Sequence, residues 1–566
     1  MPHPARPADR LLLSAARHST ARAAALCLLT TAGAAVALAL PAALGRTLDL
    51  LLAGGDAAGS TTRWTLVCAA LICASVALDA VRTVLTGTTD ARTTAWLRGL
   101  LTGRVLAIGP AGAARFTHGD LVTRATVNAG HAGAGPAAAA TTVAAVLTPL
   151  GGIAALALID YRLALAFLAG APLLALLLRS FARSTADCVA RYQRVQGDLA
   201  GRLVEALAGA RTVAAAGTEE RERRRVLEPL AGLSDHGHRL WRVQGRASAQ
   251  AAALVPLLLL VVVAVGGLLL TAGALSVGAL LAATRYAALA AGAGALVGHL
   301  GALVRSRQAA GRIAEVLQVP PVRYGDRETP PGTGRLELRG VTVRRGGRAV
   351  LRDLCLTVPA GTTVAVVGRS GSGKSLLASV AGRLADPDAG EVLLDGVPLR
   401  ELDRAALRRE IGYAFARPAL LGGTIGGTIG FGPAPASPER VTAAARAACA
   451  DGFVRTLPEG YDTPCARAPL SGGEEQRLGL ARAFAHRGRL LILDDATSSL
   501  DTVTELRVGR ALSRDSGDRT RLVIAHRPAT ADRADLVAWL DDGGIRAVGP
   551  HRELWRRADY RAVWRN

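Results

Sequence analysis

Gly368-Arg369-Ser370-Gly371-Ser372-Gly373-Lys374-Ser375 is the stretch on which the reading of this sequence turns. An apolar run, Thr363-Val364-Ala365-Val366-Val367, precedes it and has the composition of a buried parallel strand. After it, Leu376-Leu377-Ala378-Ser379-Val380-Ala381 predicts the start of a helix. Strand, glycine-rich turn and helix together form the context of a phosphate-binding loop, because glycines let successive backbone N–H groups curl round a triphosphate. Lys374 then offers a point charge to the β- and γ-phosphates, and the Ser375 hydroxyl offers a ligand to Mg2+.

Composition strengthens this. Of 67 Lys and Arg residues in the 566-residue chain, Lys374 is the sole lysine. The bias extends to Ala, Gly and Pro, as drift towards GC-rich codons would produce. Lysine survives where a compact, flexible ammonium differs most from a planar guanidinium.

The length suits two to four domains. Half of the residues are hydrophobic, only 4% are aromatic and the mean hydropathy is +0.28. A soluble chain is rarely so apolar, so membrane spans are expected. A net charge of +22 raises the question of nucleic acid. The arginines, however, are scattered, with no dense basic tail and no interleaved aromatics, so no nucleic-acid partner is expected. Positive cytoplasmic loops beside an anionic bilayer account for the charge. The seven cysteines are dispersed and follow neither a metal-ligand nor a disulfide spacing, which fits a reducing compartment.

Six apolar spans are predicted in the first half, at roughly 23–44, 64–85, 137–159, 163–178, 251–271 and 277–296. The first is longer than the core of a signal peptide and further spans follow it. Connections 45–63, 160–162 and 272–276 are short and poor in arginine. Segments 86–136 and 179–250 are long, polar and arginine-rich, and so are expected in the cytoplasm. Both termini and the second half of the chain are then cytoplasmic, in a multi-pass protein of the plasma membrane. The long segments also read as helical, so the membrane helices should extend into the cytoplasm. Asp79 and Arg82 are three apart on one helix face near the end of the second span, where mutual pairing or snorkelling to the interface accounts for them.

A Pro-, Gly- and charge-rich stretch, 319–334, reads as a linker between a membrane domain, 1–318, and a second domain, 335–566. In that second domain, Leu470-Ser471-Gly472-Gly473-Glu474-Glu475-Gln476-Arg477 predicts a helix start suited to an anion. Leu490-Leu491-Ile492-Leu493-Asp494-Asp495 is an apolar strand ending in two carboxylates. Ser498-Ser499-Leu500-Asp501 follows, and Val523-Ile524-Ala525-His526 is a strand ending in histidine.

In this order and spacing the motifs resemble those of ATP-binding-cassette (ABC) proteins. Phe116 to Arg124, Gly209 to Val213 with Gly217 to Arg221, and Arg312 to Leu317 resemble the cytoplasmic segments of exporters in that superfamily. The resemblance covers nearly the whole chain. It implies a half-transporter with an all-α, six-helix transmembrane domain followed by an α/β P-loop ABC ATPase domain, working as a dimer on ATP and Mg2+. By position, Gly368 to Ser375 would hold the triphosphate and Ser375 with Asp494 the metal. Asp495 would be the base and His526 the sensor of the γ-phosphate. Leu470, Ser471, Gly472 and Gly473 would grip the partner's nucleotide.

Three positions depart from the family. Arg345 stands where an aromatic usually stacks on adenine; a guanidinium can stack too, over less area. Ala416 replaces a glutamine that touches Mg2+ and the attacking water. Asp495 replaces the catalytic glutamate and is one methylene shorter, so proton abstraction should be slow. A weak hydrolytic site beside a sound signature resembles one half of a heterodimeric exporter, which we favour over a homodimer with two slow sites. A regulatory subunit that transports nothing, or an importer on the same fold, remain alternatives. The cargo is expected to be a small apolar or amphipathic molecule or a peptide.

Overall fold

Helical periodicity fills the first 319 residues and mixed α/β the rest. The computed structural model describes residues 7–53, 58–292, 294–514 and 519–565. The chain divides into two units, residues 1–104 with 116–319, and residues 105–115 with 320–566.

The long helices of the first unit are Thr20–Ala53, Ala58–Ala107, Gly135–Ile159, Tyr161–Ala208, Leu230–Thr271, Val277–Ala291 and Gly294–Leu317, preceded by a short amphipathic helix, Pro7–His18. Among the described residues four helical stretches are long and apolar enough to cross a membrane: Thr20–Ala53, Gly59–Ala107, His118–Ile159 and Ala253–Thr271. Tyr161–Gly170 and Val277–Ala291 are shorter apolar helices. Several helices run well past the apolar spans, Ala58–Ala107 continuing beyond Leu85 and Tyr161–Ala208 beyond Leu178, on polar, arginine-rich sequence. The turn expected at 160–162 is tighter than that: Asp160 alone breaks the helix, its carboxylate capping the next one by accepting from the Arg162 N–H at 2.7 Å. Asp79 and Arg82 pair with each other.

A buried arginine centres a polar cluster in this unit. The Arg124 guanidinium is 4% exposed; it donates to Asp120 at 2.8 Å and to the Arg312 carbonyl, pairs with Glu315 at 2.8 Å, and lies over the Phe116 ring. Arg312 returns to Asp120 at 2.6 Å. Replacing Arg124 by glutamine removes two ion pairs, but Asp120 keeps Arg312 and Glu315 is more than half exposed, so the loss expected in this unit is about 1–2 kcal/mol. The unfolding midpoint of the purified protein measures this; an unchanged midpoint would show the cluster to be dispensable.

The second unit holds two sheets. A four-stranded antiparallel sheet has the order β2-β1-β4-β5, from β1 (Leu336–Arg345), β2 (Arg348–Val358), β4 (Ala389–Leu394) and β5 (Val397–Pro398). A six-stranded sheet has the order β10-β9-β3-β8-β7-β6, from β3 (Thr363–Val367), β6 (Ile411–Phe415), β7 (Leu490–Asp494), β8 (Thr520–Ile524), β9 (Leu536–Asp541) and β10 (Gly544–Gly549). Strands β9, β3, β8, β7 and β6 are parallel, and β10 closes one edge antiparallel. The apolar runs fall on β3 and β7, with Val364 to Val367 and Leu490 to Leu493 all buried, as central parallel strands require. The stretch read as a linker is tied to this unit at its middle. Gly325 N–H donates to the Leu402 carbonyl at 3.2 Å, Arg327 N–H to Glu401 at 3.1 Å, and Asp403 N–H returns to Arg327 at 2.8 Å.

Candidate functional site

The parallel strands β3, β7 and β8 lie side by side, so their C-terminal ends bring three sequence-distant loops together. After β3 the chain turns through Gly368–Gly373 into the helix Lys374–Ala381. Gly373 has φ +98°, a left-handed conformation that disfavours any side chain, and it enters the helix there. The Lys374 ammonium is 5% exposed and folds back on its own loop, donating to the carbonyls of Gly368 at 2.8 Å and Arg369 at 2.9 Å. Burial pushes it below the ordinary lysine value, with Asp495 and Asp494 pulling the other way.

Asp494 ends β7. Its Oδ1 accepts from the Ser375 hydroxyl at 2.8 Å. Burial raises the carboxyl above its ordinary range, and the Ser375 hydrogen bond, His526 and Lys374 offset part of that rise. Asp495 follows with φ +53°, where aspartate is better tolerated than longer residues. His526 is exposed just after β8, between the loops of β3 and β7. Ala416 follows β6, whose Phe415 pairs in register with Asp494, so the position where a glutamine was expected does lie beside the two carboxylates.

Two observations bear on what this pocket can hold. Ser375 and Asp494 present hard oxygen donors side by side, which suits Mg2+ better than a soft metal. The Ser372 hydroxyl within the loop is buried without a protein partner, a group that a phosphate oxygen would satisfy.

Ser471 caps the helix Gly472–Ala485. Its hydroxyl accepts from Glu474 N–H at 3.4 Å and donates to the Glu474 carboxylate at 2.9 Å, while its N–H reaches the same carboxylate at 2.8 Å. This is a capping box, and the S-x-x-E spacing could have disclosed it in the sequence. Replacing Ser471 by alanine is expected to cost about 1 kcal/mol of helix stability, readable as a lowered unfolding midpoint of the ATPase unit. An unchanged midpoint would show that the cap contributes nothing. Leu470 to Gly473 thus bonds within its own turn. Arg345 is exposed at the β1–β2 hairpin, where its guanidinium donates to the Arg344 carbonyl at 3.3 Å.

One residue of the site has no role in the sequence reading. Gln476 is 1% exposed, and its amide meets the backbone of both Ala416 and Asp495. Its signal is a polar amide in register with the buried Leu480 and Phe484, one and two turns further along the helix.

Comparison with known proteins agrees with this arrangement. Residues 24–293 match the family model described as ABC transporter transmembrane region, and residues 351–498 match the one described as ABC transporter. The chain is similar to the ABC transporter ATP-binding protein RamA of Streptomyces coelicolor, 57% identical over 538 residues, 95% of this chain and 84% of that one. An ATP-dependent lipid A-core flippase of Pseudomonas fluorescens is 34% identical, over 79% of this chain and 76% of its own. A multidrug efflux ATP-binding/permease protein of Mycobacterium tuberculosis is 36% identical over 73% of this chain and 35% of that longer one. The fold superposes on a bacterial Atm1-family ABC exporter solved with ATP bound, with a TM-score of 0.76, 25% identity, and coverage of 96% of this chain and 98% of that one. Fused helical membrane region and α/β ATPase domain in one polypeptide, with a phosphate loop and a signature helix in the latter, establish that the chain belongs to the ABC transporters.

Proposed function

We propose that the chain is an exporter half-transporter of the plasma membrane that moves a small apolar or amphipathic molecule or a peptide by alternating access, with its ATPase domain in the cytoplasm. The observation that carries this reading is the convergence of the only lysine, Lys374, with Ser375, Asp494 and Asp495 at the ends of β3 and β7. Two of the relatives are named as an efflux and a lipid-flipping protein, which favours export. An open groove of about 650 Å³ in the membrane unit, lined by Leu29, Val76 and Leu78 and by Thr30, Asp79 and Arg82, suits an amphipathic cargo.

Each residue then has a task. Gly368 to Gly373 cradle the phosphates of ATP through backbone N–H groups, and Lys374 exchanges its loop carbonyls for phosphate oxygens. Ser375 and Asp494 would hold Mg2+, which when bound supplies positive charge against the phosphates. His526 holds the γ-phosphate end. Asp495 accepts the proton of the attacking water, but from a short side chain and without a glutamine at Ala416 to orient that water, so turnover is slow. Ser471 and the first N–H groups of its helix face the nucleotide of a partner subunit.

We therefore favour a heterodimer in which a second half-transporter carries the catalytic glutamate. Affinity purification of the tagged chain from its native membranes tests this: an equimolar second half-transporter with glutamate after its own strand-terminal aspartate is expected. Recovery of this chain alone, with brisk ATP turnover, would overturn it.

A further inference from the structure

We infer that Gln476 is a positioning residue for ATP hydrolysis, a link that fixes the catalytic-base loop and the loop at Ala416 to the helix that begins with the signature serine. The carboxamide sits where three segments meet. Its Nε2 donates to the Ala416 carbonyl at 3.0 Å and to the Ser498 hydroxyl at 3.0 Å, with the Asp495 carbonyl at 3.3 Å. Its Oε1 accepts from Ser499 N–H at 2.9 Å. The Ser498 hydroxyl in turn donates to the Asp495 carbonyl at 3.1 Å. Acceptors face one end of the amide and a backbone donor faces the other, so its orientation is set by chemistry, and an isosteric carboxylate or thioether could not reproduce it.

The surroundings make this a joint and not a passing contact. Gln476 is 1% exposed, and a buried amide satisfied on both ends rigidifies whatever it bonds. At the start of the same helix, Gly473 lies so close to the Ser499 carbonyl that an added Cβ would come within 3.2 Å. From the far side, Arg527, the residue after His526, reaches the carbonyls of Ser498 and Leu500 at 3.4 Å and is itself held by the buried carboxylate of Glu505. Residues 498–500 are thus gripped between the signature helix and the loop of His526, and Asp495 hangs from the same grip by its main chain. Asp495 needs such support: it is in a left-handed conformation, its side chain is short, and Ala416 offers no side-chain amide of its own. Gln476 does not touch the reacting atoms; it acts through the backbone of Asp495 and Ala416. A signature helix that shifts when it meets the partner's nucleotide would, through Gln476, move this chain's own base. The inference rests on ATP being turned over beside Asp495.

The test uses the full-length chain in lipid nanodiscs with its co-purified partner, whose catalytic glutamate is replaced by glutamine so that the turnover read is that beside Asp495, and compares Gln476→Met, Gln476→Glu and Asp495→Asn. Gln476→Met keeps the length and loses every hydrogen bond; kcat is expected to fall about tenfold, as loss of a positioned group does, with KM and binding of a fluorescent ATP analogue within twofold of wild type and the unfolding midpoint lowered by only a few degrees. Gln476→Glu adds a pH readout that a merely structural role would not move. Burial raises the introduced carboxyl, so lowering the pH restores one O–H donor, and the ratio of its kcat to that of Gln476→Met should climb about fivefold between pH 8 and pH 6. Parallel pH profiles, or kcat and ATP binding falling together with the unfolding midpoint, would overturn the positioning role. Hydrolysis indifferent to Asp495→Asn would overturn both this role and the use of Asp495 as a base. Sensitivity to Asp495→Asn without sensitivity to Gln476→Met would overturn the role of Gln476 alone.

Discussion

Lys374→Ala is expected to weaken ATP binding by about a hundredfold and to abolish ATP-dependent movement of cargo in membrane vesicles containing this chain and its partner. The ammonium is the one compact cation in the site, and its charge-assisted hydrogen bonds to phosphate are each about twice as strong as neutral ones. Two such bonds lost to solvent correspond to about 2.7 kcal/mol, the equivalent of two decades in affinity. Lys374→Arg should fail almost as badly. The side chain is 5% exposed and bent back onto the carbonyls of Gly368 and Arg369, and a planar, forked guanidinium does not fit that turn. Titration with a fluorescent ATP analogue measures the binding loss. Cargo movement that survives Lys374→Ala would support the reading of this chain as a regulatory subunit.

The second large effect is a gain. Asp495→Glu combined with Ala416→Gln is expected to raise the ATP turnover of this chain by roughly tenfold to a hundredfold. The added methylene extends the carboxylate by about 1.5 Å, and misplacement of a catalytic group by about 1 Å is worth about a hundredfold. The restored amide can orient water beside it. Against this stands the backbone: Asp495 has φ +53°, a region in which aspartate is enriched and glutamate is not, so the variant should also lose about 1 kcal/mol of stability. Phosphate release by the purified full-length chain decides the matter. A change below twofold would mean that hydrolysis at this site is not limited by the reach of residue 495.

What could be read in the sequence is what depends on local pattern. The phosphate loop announces itself because the glycines, Lys374 and Ser375 must be contiguous to wrap an anion. Strands β3 and β7 do so because a strand covered on both faces is apolar throughout. Apolar spans are visible because hydrocarbon tolerates little else, but the ends of their helices are not. Ala58–Ala107 passes from apolar to polar sequence without any break in backbone hydrogen bonding. The tie between 325–327 and 401–403 was equally hidden, since a backbone bridge leaves no mark on side-chain composition. Gln476 stayed silent for a different reason. Its importance comes from residues sixty positions upstream and about twenty downstream, and only folding brings those to one amide. Arg124 is similar, as its partners are split between its own helical turn and the distant Arg312–Glu315.

The solitary lysine also gives this protein an unusual chemistry towards reagents. Acylating probes and bifunctional amine cross-linkers that decorate most proteins at dozens of sites find one side-chain amine, and it is shielded within its loop. Burial holds that amine below the ordinary lysine value, so a reagent that reaches it within its loop meets it less often protonated and the more nucleophilic for it. A phosphate-mimicking acylating reagent would therefore label the nucleotide pocket with almost no background, and protection by ATP would read out occupancy on the intact protein by mass alone.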